Sequence, residues 1–263
     1  MAQTTTIEWT ETTWNPVIGC TKVSPGCVHC YAERMAHRLV AMAKADREAG
    51  RNAGKKATYL NVVGRDGAWN GKVYLDEQAV ETPRRWRSPR MIFVNSMGDL
   101  FHHGVSLEFV RRVFTVMNGC PQHTFQILTK RPERAARFSS KLQWTPNIWM
   151  GATVETADFT CRAKHIQETG AKVKFLSVEP LLGPIPKLPL TGIDWVIVGG
   201  ESRPGARPML ADWVRQIQKR CVEHKVPFFF KQWGGIDKKA NGRTLDGRTW
   251  DEMPFIRLHT GNQ

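Results

Sequence analysis

The chain has 263 residues, with 38 Lys and Arg against 24 Asp and Glu, and therefore a formal net charge of +14. Hydrophobic residues make up 41% of the sequence, which excludes intrinsic disorder as its main state, and no apolar run is long enough to span a membrane. The positive charge favours a polyanionic partner, above all nucleic acid, and the Thr-rich start of the chain is unlike a secretory signal, so we expect a cytoplasmic protein.

The amino-terminal part of the chain predicts one β/α unit followed by an insertion. An apolar segment over residues 14–19 predicts the first strand, and residues 31–49 predict a helix. Residues 50–90 are rich in Gly, Lys and Arg and break the alternation of strand and helix. We therefore interpret them as an insertion after the first β/α unit, with a short hairpin near residues 72–75.

From residue 91 onward, short apolar strands alternate with amphipathic helices. Strands are predicted at residues 91–95, 124–128, 147–152, 173–177, 195–198 and 227–231. Helices are predicted at residues 106–117, 132–138, 157–169 and 211–224. Six or seven such β/α units indicate a parallel sheet and favour an α/β fold of partial TIM-type barrel architecture, with a doubly wound sheet as the alternative. A single domain would then cover residues 1–263 and end in a loop-rich extension over residues 234–263.

Three of the six cysteines lie within one segment of the chain, at Cys20, Cys27 and Cys30. So tight a cluster, without a secretory signal, suggests metal binding rather than a disulfide framework. Three thiolates can hold three irons of a [4Fe–4S] cluster and leave the fourth iron open for another ligand. A zinc ion with His29 or His37 as fourth ligand, and three free thiols, are the alternatives, although zinc prefers paired ligand sets that this segment lacks.

Polar or charged residues follow nearly every predicted strand, at the end of a β/α barrel where active sites form. The basic side chains among them suit phosphate groups, and a tryptophan suits an extruded base. The candidates for nucleic-acid binding are Arg84, Arg85, Arg131, Arg134, Arg203, Arg207, Lys231 and Trp233.

Three segments carry a resemblance to a known family. They are Trp-Asn-Pro-Val-Ile-Gly-Cys at residues 14–20, Cys-Val-His-Cys-Tyr-Ala-Glu at residues 27–33 and Asn-Ser-Met-Gly-Asp-Leu-Phe at residues 95–101. A three-cysteine loop after the first strand of a β/α barrel resembles the radical S-adenosylmethionine (SAM) enzymes, whose usual motif has three residues between the first two cysteines where this chain has six. The segments resemble more specifically a phage and bacterial family found beside three-Cys-motif partner proteins, and the chain is distantly similar to spore photoproduct lyase.

The resemblance implies a barrel of radical SAM type, a [4Fe–4S] cluster on the three cysteines and SAM as the second cofactor. It implies that Gly98 and Asp99 stand where that family receives the SAM amino group, with Lys130 or Arg131 as the cation for the SAM carboxylate and Lys130 as the nearer candidate. The SAM site predicted in this way comprises Ser96, Met97, Gly98, Asp99, Lys130, Glu155, Ser177 and Glu179. Cys161 and Tyr31 are the candidate hydrogen-atom donors.

The most specific function that follows is repair of a thymine lesion in DNA through a 5′-deoxyadenosyl radical. An electron donor such as flavodoxin or ferredoxin is the expected partner, besides the DNA or RNA substrate, and we expect a monomer that does not bind a membrane. The alternatives are radical SAM modification of RNA or of a small substrate, and a zinc-bearing nucleic-acid-binding protein without enzymatic activity.

Overall fold

The computed structural model describes residues 5–254. Its centre is one sheet of seven parallel strands, β1 (Thr12–Trp14), β2 (Met91–Val94), β3 (Thr124–Thr129), β4 (Ile148–Thr153), β5 (Val173–Val178), β6 (Trp195–Gly199) and β7 (Phe228–Gln232). The strands lie side by side in chain order, and the sheet curls into a half-barrel. Within the described residues, β1 and β7 do not pair with each other, so the barrel is open.

Five helices connect the strands, namely α1 (Tyr31–Glu48), α2 (Leu107–Asn118), α3 (Pro132–Ser139), α4 (Cys161–Gln167) and α5 (Ala211–Glu223). The amino end of α2 shows how the local sequence sets such a helix: the Ser106 hydroxyl accepts a hydrogen bond from the Phe109 amide, which satisfies one free donor of the first turn. Val110, Val113 and Met117 then recur at helical spacing and are buried against the sheet. No helix of the described part of the chain is long and apolar enough to cross a membrane.

The smaller elements lie in the connections. The 3-10 helices are Pro25–Cys27, Gly54–Asn61, Thr82–Arg85 and Ala157–Phe159, and the short α-helices are Glu77–Val80 and Lys238–Asn241. Two antiparallel strand pairs complete the fold, Val17–Ile18 with Tyr74–Leu75 and Thr244–Leu245 with Arg248–Thr249.

The two faces of the sheet bury different side chains, because successive residues of a strand point to opposite faces. Aliphatic residues such as Ile92 and Val198 face the helices, whereas the opposite face is filled by aromatic rings. Trp195 is fully buried there among its neighbours, and Trp9, from the segment before β1, packs 4.9 Å from Phe93 between ring centroids. The inside of the half-barrel is therefore filled by side chains, which leaves the ends of the sheet as places for a ligand site.

The chain-order sheet confirms the predicted partial barrel and excludes the doubly wound alternative, in which the strand order reverses beside a central strand.

Two predicted elements are wrong in detail. The first strand of the sheet ends at Trp14 instead of continuing to residue 19, because Val17–Ile18 leaves the sheet to pair with Tyr74–Leu75. The strand predicted as part of a hairpin near residues 72–75 therefore pairs with a segment more than 50 residues earlier, as the numbering of the two strands shows. Part of the predicted extension, residues 255–263, lies outside the described residues.

Candidate functional site

The three clustered cysteines lie on a loop at the carboxyl end of the half-barrel. We call residues 20–30 the cysteine loop. The segment before it runs beside the segment that follows β2, where the Gly19 amide donates to the Met97 carbonyl at 3.0 Å. Gly19 has a φ of +99°, and a Cβ atom there would lie 2.4 Å from the Lys72 carbonyl oxygen, so only glycine fits before Cys20.

The thiols of the cysteine loop are free and close enough to influence one another. Cys27 is buried, and Cys20 and Cys30 are half-buried. Burial raises the pKa of Cys20 to about 12, helped by Asp99 and opposed by Arg131. Burial also raises the pKa of Cys30, and the neighbouring Cys27 adds to this shift. Without a metal, Cys20 and Cys30 therefore keep their protons, and metal binding must release them.

Asp99, after β2, ties the cysteine loop to the sheet through Arg131. The Arg131 guanidinium donates to Asp99 Oδ2 at 2.8 Å, and the same nitrogen lies 3.6 Å from Cys20 Sγ. The Thr129 hydroxyl donates to the other carboxylate oxygen at 2.7 Å, so both oxygens of Asp99 have partners within the protein. Asp99 and Arg131 are both buried, and they form an ion pair beneath the first cysteine of the loop.

Glu155, after β4, makes the second connection. Its side chain is fully buried and pairs with Lys130 and Arg162, each at 2.8 Å, while the Ser24 hydroxyl of the cysteine loop donates to it. Burial alone would raise the pKa of Glu155, but the two cations hold it below its ordinary value. A Cβ atom at Gly26 would lie 2.6 Å from Glu155 Oε1, so the loop backbone rests directly on this carboxylate.

Glu201, after β6, makes the third connection. Its carboxylate receives hydrogen bonds from Arg207 at 2.6 Å and lies 2.8 Å from Nδ1 of His29, in the cysteine loop. Arg207 also donates to the Pro25 carbonyl at 3.0 Å. Burial opposes ionisation of Glu201, but the hydrogen bonds from Arg207 and His29 lower its pKa to about 2. The loop is thus held by acids at the ends of three different strands.

The remaining predicted SAM residues lie at the same end of the sheet. Glu179, after β5, pairs with Lys231 at 2.8 Å, and Ser177 is buried near the end of β5. Ser96 and Met97 follow β2, and the Tyr31 hydroxyl, at the start of α1, donates to the Ser96 carbonyl at 2.7 Å. Gly98 makes a close approach as expected, but to the chain itself: a Cβ atom there would lie 2.6 Å from the Val17 carbonyl oxygen.

One buried side chain at this end has unsatisfied polar atoms. Asn95 directly follows β2, is 3% exposed and has a φ of +66°. Among the described residues, neither Nδ2 nor Oδ1 of its side-chain amide has a hydrogen-bond partner. Buried amides are almost always paired, so a strained and unpaired one at the end of a barrel strand indicates a place for a polar ligand.

The predicted nucleic-acid residues do not form a single cluster. Arg134, Arg203, Arg207 and Lys231 lie at the carboxyl end, as expected, but Arg131 is buried. The predicted position of Arg84 and Arg85 at the carboxyl end is wrong. They lie at the amino end of the sheet, where His123, just before β3, bonds the carbonyls of Pro83 and Trp86. They lie there because they precede β2 in the chain. Trp233 packs against Phe230 with 4.8 Å between ring centroids, and its indole donates to the Thr244 carbonyl.

Several residues of the site were not among the predicted ones. They are Ser24, Asn95, Arg162 and Glu201, which hold the cysteine loop or line the mouth of the half-barrel; His29, predicted only as an alternative zinc ligand, also holds the loop. Asn95 and Glu201 both follow an apolar strand, which is the signal for a site residue in this fold, and Asn95 lies in one of the segments that carry the resemblance. Arg162 gave no such signal, since its role depends on a contact with a residue on another element. Cys161 is exposed at the start of α4 and lines a cleft with Lys130.

Comparison with known proteins places the chain in a family. A family described as "Protein of unknown function (DUF5131)" matches residues 4–254. The chain belongs to this family. The match covers the whole half-barrel, the cysteine loop and every residue of the site described above. No curated protein and no solved structure matches the chain.

Proposed function

We propose that this member of the family is a radical SAM enzyme that acts on nucleic acid, with a thymine lesion in DNA as its substrate. The proposal depends most on one observation: three free thiols share one loop at the carboxyl end of a parallel half-barrel, where enzymes of this architecture carry their active sites. Acids at the ends of β2, β4 and β6 hold that loop in place.

The chemistry of the cysteine loop fits an iron–sulfur cluster. Cys20, Cys27 and Cys30 are free thiols of one loop, and in a [4Fe–4S] cluster each of them binds a different iron and leaves the fourth iron open. Nδ1 of His29 lies 2.8 Å from Glu201, which leaves Nε2 for a metal, so zinc is the alternative that metal analysis must exclude. When bound, the reduced cluster supplies the electron that cleaves SAM into methionine and a 5′-deoxyadenosyl radical.

The residues of the chain then have separate tasks. Arg131 holds a positive charge beside Cys20, where it stabilises the thiolate, and Asp99 orients Arg131. Asn95 offers an unpaired donor and an unpaired acceptor to the polar groups of SAM. Tyr31, next to Cys30 and held by Ser96, and Cys161, exposed on α4, are the candidates that return a hydrogen atom to the product. A flavodoxin or ferredoxin supplies the electron.

Anaerobic reconstitution with iron and sulfide tests the proposal. The wild type should bind about four irons per chain and show the broad visible absorption of an iron–sulfur cluster. Incubation with a reductant and SAM should then yield 5′-deoxyadenosine, and ultraviolet-irradiated DNA should lose its thymine lesion. Cys20→Ala, Cys27→Ala and Cys30→Ala should each lose the cluster and the SAM cleavage, whereas Cys161→Ala should keep its iron.

Two outcomes would contradict the proposal. A protein that binds one zinc ion and no iron after the same treatment would favour the zinc-bearing nucleic-acid-binding alternative. A protein that cleaves SAM but leaves irradiated DNA unchanged would support the radical chemistry and exclude the thymine lesion as the substrate. RNA or a small molecule would then be the substrate to test.

A further inference from the structure

An open cleft beside the cysteine loop carries positive charge that the chain does not neutralise. It lies between α3 and α4 and has a volume of about 450 Å³. We call it the α3–α4 cleft. The residues that matter for its chemistry are Val23, His103, Arg134, Arg137, Cys161 and His165. Val23 belongs to the cysteine loop, so the cleft borders the loop that carries the three thiols.

The inner cations of the cleft already have carboxylate partners. Lys130 and Arg162 both pair with Glu155, and Arg131 pairs with Asp99. Glu155 carries one negative charge against two cations, so one positive charge remains between Lys130 and Arg162 and adds to that of the cleft. A ligand that enters from solvent meets the outer side chains first.

Arg134 and Arg137 are the uncompensated cations. Within residues 5–254, neither has a carboxylate oxygen within 4 Å, and Glu133 is the one acid of the cleft lining. Arg134 is oriented by the Val105 carbonyl and by the ring of Phe138, which lies 4.7 Å from its guanidinium carbon. Its Nε atom is buried without a hydrogen-bond partner. Burial and the nearby Arg137 lower the pKa of Arg134, so both disfavour the charged form of this side chain.

A bound anion would reduce the repulsion between the Arg134 and Arg137 guanidinium groups. Two neighbouring guanidinium groups match the oxygens of a phosphate, because each can donate two parallel hydrogen bonds. His103 and His165 add further donors, although His165 also lies 3.6 Å from Glu168. The cleft is open to solvent, so a chain of linked phosphates can reach it.

We propose that the α3–α4 cleft binds a phosphodiester group of a nucleic-acid substrate through Arg134 and Arg137. This assignment rests on the nucleic-acid substrate proposed above, and it adds where the substrate backbone crosses the protein. A backbone held there lies beside the cysteine loop, so a neighbouring nucleotide can reach the mouth of the half-barrel.

Binding of a single-stranded DNA of about 12 nucleotides, followed by fluorescence anisotropy, tests the site. The double variant Arg134→Gln/Arg137→Gln should bind about tenfold more weakly, and its slope of log affinity against log salt should fall by about 1.4, which is two contacts of about 0.7 each. Arg84→Gln/Arg85→Gln is the matched control, because it removes the same charge at the opposite end of the sheet. It should change the affinity less than twofold, about the effect of altered net charge alone.

Because Arg134 is half-buried, the single variant Arg137→Gln, at an exposed position, keeps the test independent of folding. Equal weakening in the two double variants, or wild-type affinity in Arg137→Gln and in the Arg134/Arg137 variant, would overturn the site. Inorganic phosphate and an oligonucleotide with an uncharged methylphosphonate backbone separate the sources of the phosphate. If inorganic phosphate binds as tightly as the DNA, the ligand is a small phosphate compound and the assignment to a backbone is wrong.

Alkylation of Cys161 gives a second measurement. This thiol is exposed and lines the cleft, whereas Cys120 and Cys221 are buried. The oligonucleotide should protect Cys161 in the wild type, as followed by mass spectrometry, and should not protect it in the Arg134/Arg137 variant. Unprotected Cys161 under saturating DNA would contradict the proposal.

The two proposals fail in different ways. SAM cleavage measured without DNA tests the cluster chemistry and does not involve the cleft. A protein that binds DNA through Arg134 and Arg137 but produces no 5′-deoxyadenosine would refute the radical chemistry alone.

Discussion

His29 and Glu201 lie 172 residues apart in the chain, yet Nδ1 of His29 is 2.8 Å from Glu201 Oε2. This contact joins the carboxyl-terminal end of the cysteine loop, beside Cys30, to the segment that follows β6. Asp99 and Glu155 reach other parts of the same loop from β2 and β4. The position of the three thiols therefore depends on ion pairs at the carboxyl end of the sheet rather than on the loop alone.

Glu201→Gln tests how much this contact stabilises the fold. The substitution leaves Arg207 and His29 without their carboxylate, so we expect the free energy of unfolding to fall by about 1–3 kcal/mol. Urea denaturation followed by tryptophan fluorescence measures it. Asp246→Asn is the control: it weakens an exposed ion pair with Arg215 that solvent screens, so it should leave the free energy of unfolding nearly unchanged. Equal losses in the two variants would mean that Glu201 acts as an ordinary surface acid.

Gly26→Ala tests the contact between the loop backbone and Glu155. The added methyl group would lie 2.6 Å from a carboxylate oxygen that two cations hold in place, so the loop must move. We expect a loss of about 1–3 kcal/mol in stability and a lower iron content after reconstitution. Gly183→Ala is the control, because a Cβ atom there meets nothing within 4 Å. Normal iron loading in Gly26→Ala would show that the loop tolerates displacement from Glu155.

Asn95→Gly tests the unpaired amide. Glycine adopts the positive φ of this position and removes two unsatisfied polar atoms, so stability should stay equal or rise by up to about 1 kcal/mol. The affinity for SAM, measured by calorimetry on the reconstituted protein, should nevertheless fall about tenfold, because a hydrogen bond to a charged ligand group is lost. Lys225→Gly, at another residue with positive φ, should leave the SAM affinity unchanged. An unchanged affinity in Asn95→Gly would place the SAM site elsewhere on the rim.

The pKa shifts of two buried histidines predict how the free energy of unfolding depends on pH. Burial lowers the pKa of His102 to about 4, so His102 stays neutral in the folded protein at pH 6, and burial also lowers the pKa of His123. The unfolded chain takes up these protons near pH 6.5, so it binds more protons than the folded state below that pH. Stability should therefore be complete above pH 6.5 and fall as the pH decreases toward the folded pKa values.

The expected slope is up to about 1.4 kcal/mol per pH unit for each histidine, measured as the free energy of unfolding in urea between pH 7.5 and 5. His123→Gln should reduce the slope, because glutamine does not titrate. His224→Gln, at the exposed end of α5, is the control and should leave it unchanged. A stability that rises toward pH 5 would contradict the neutral state of the buried histidines.

The fold could be predicted well because its signal is local. Apolar runs such as residues 195–198, separated by amphipathic helices, identify a parallel sheet without knowledge of any contact. The bounds of the first strand could not be predicted, because Val17–Ile18 is as apolar as a sheet strand and its partner, Tyr74–Leu75, lies in the insertion. Arg84 and Arg85 were misplaced although their position just before β2 already assigns them to the amino end of the sheet.

The sequence by itself determined the β/α alternation, the single segment that carries three cysteines and the polar residues that follow the strands, since each depends on residue type and spacing along the chain. Only the tertiary structure decided which of those polar residues are free. Asp99 pairs with Arg131, Glu155 pairs with Lys130 and Arg162, and Glu201 pairs with Arg207 and His29. Within residues 5–254, by contrast, Arg134 and Arg137 have no carboxylate partner, and the side-chain amide of Asn95 has no hydrogen-bond partner. The physical reason is that compensation of a buried charge depends on distances of about 3 Å between strands and loops that are far apart in the chain, and residue spacing contains no such distances.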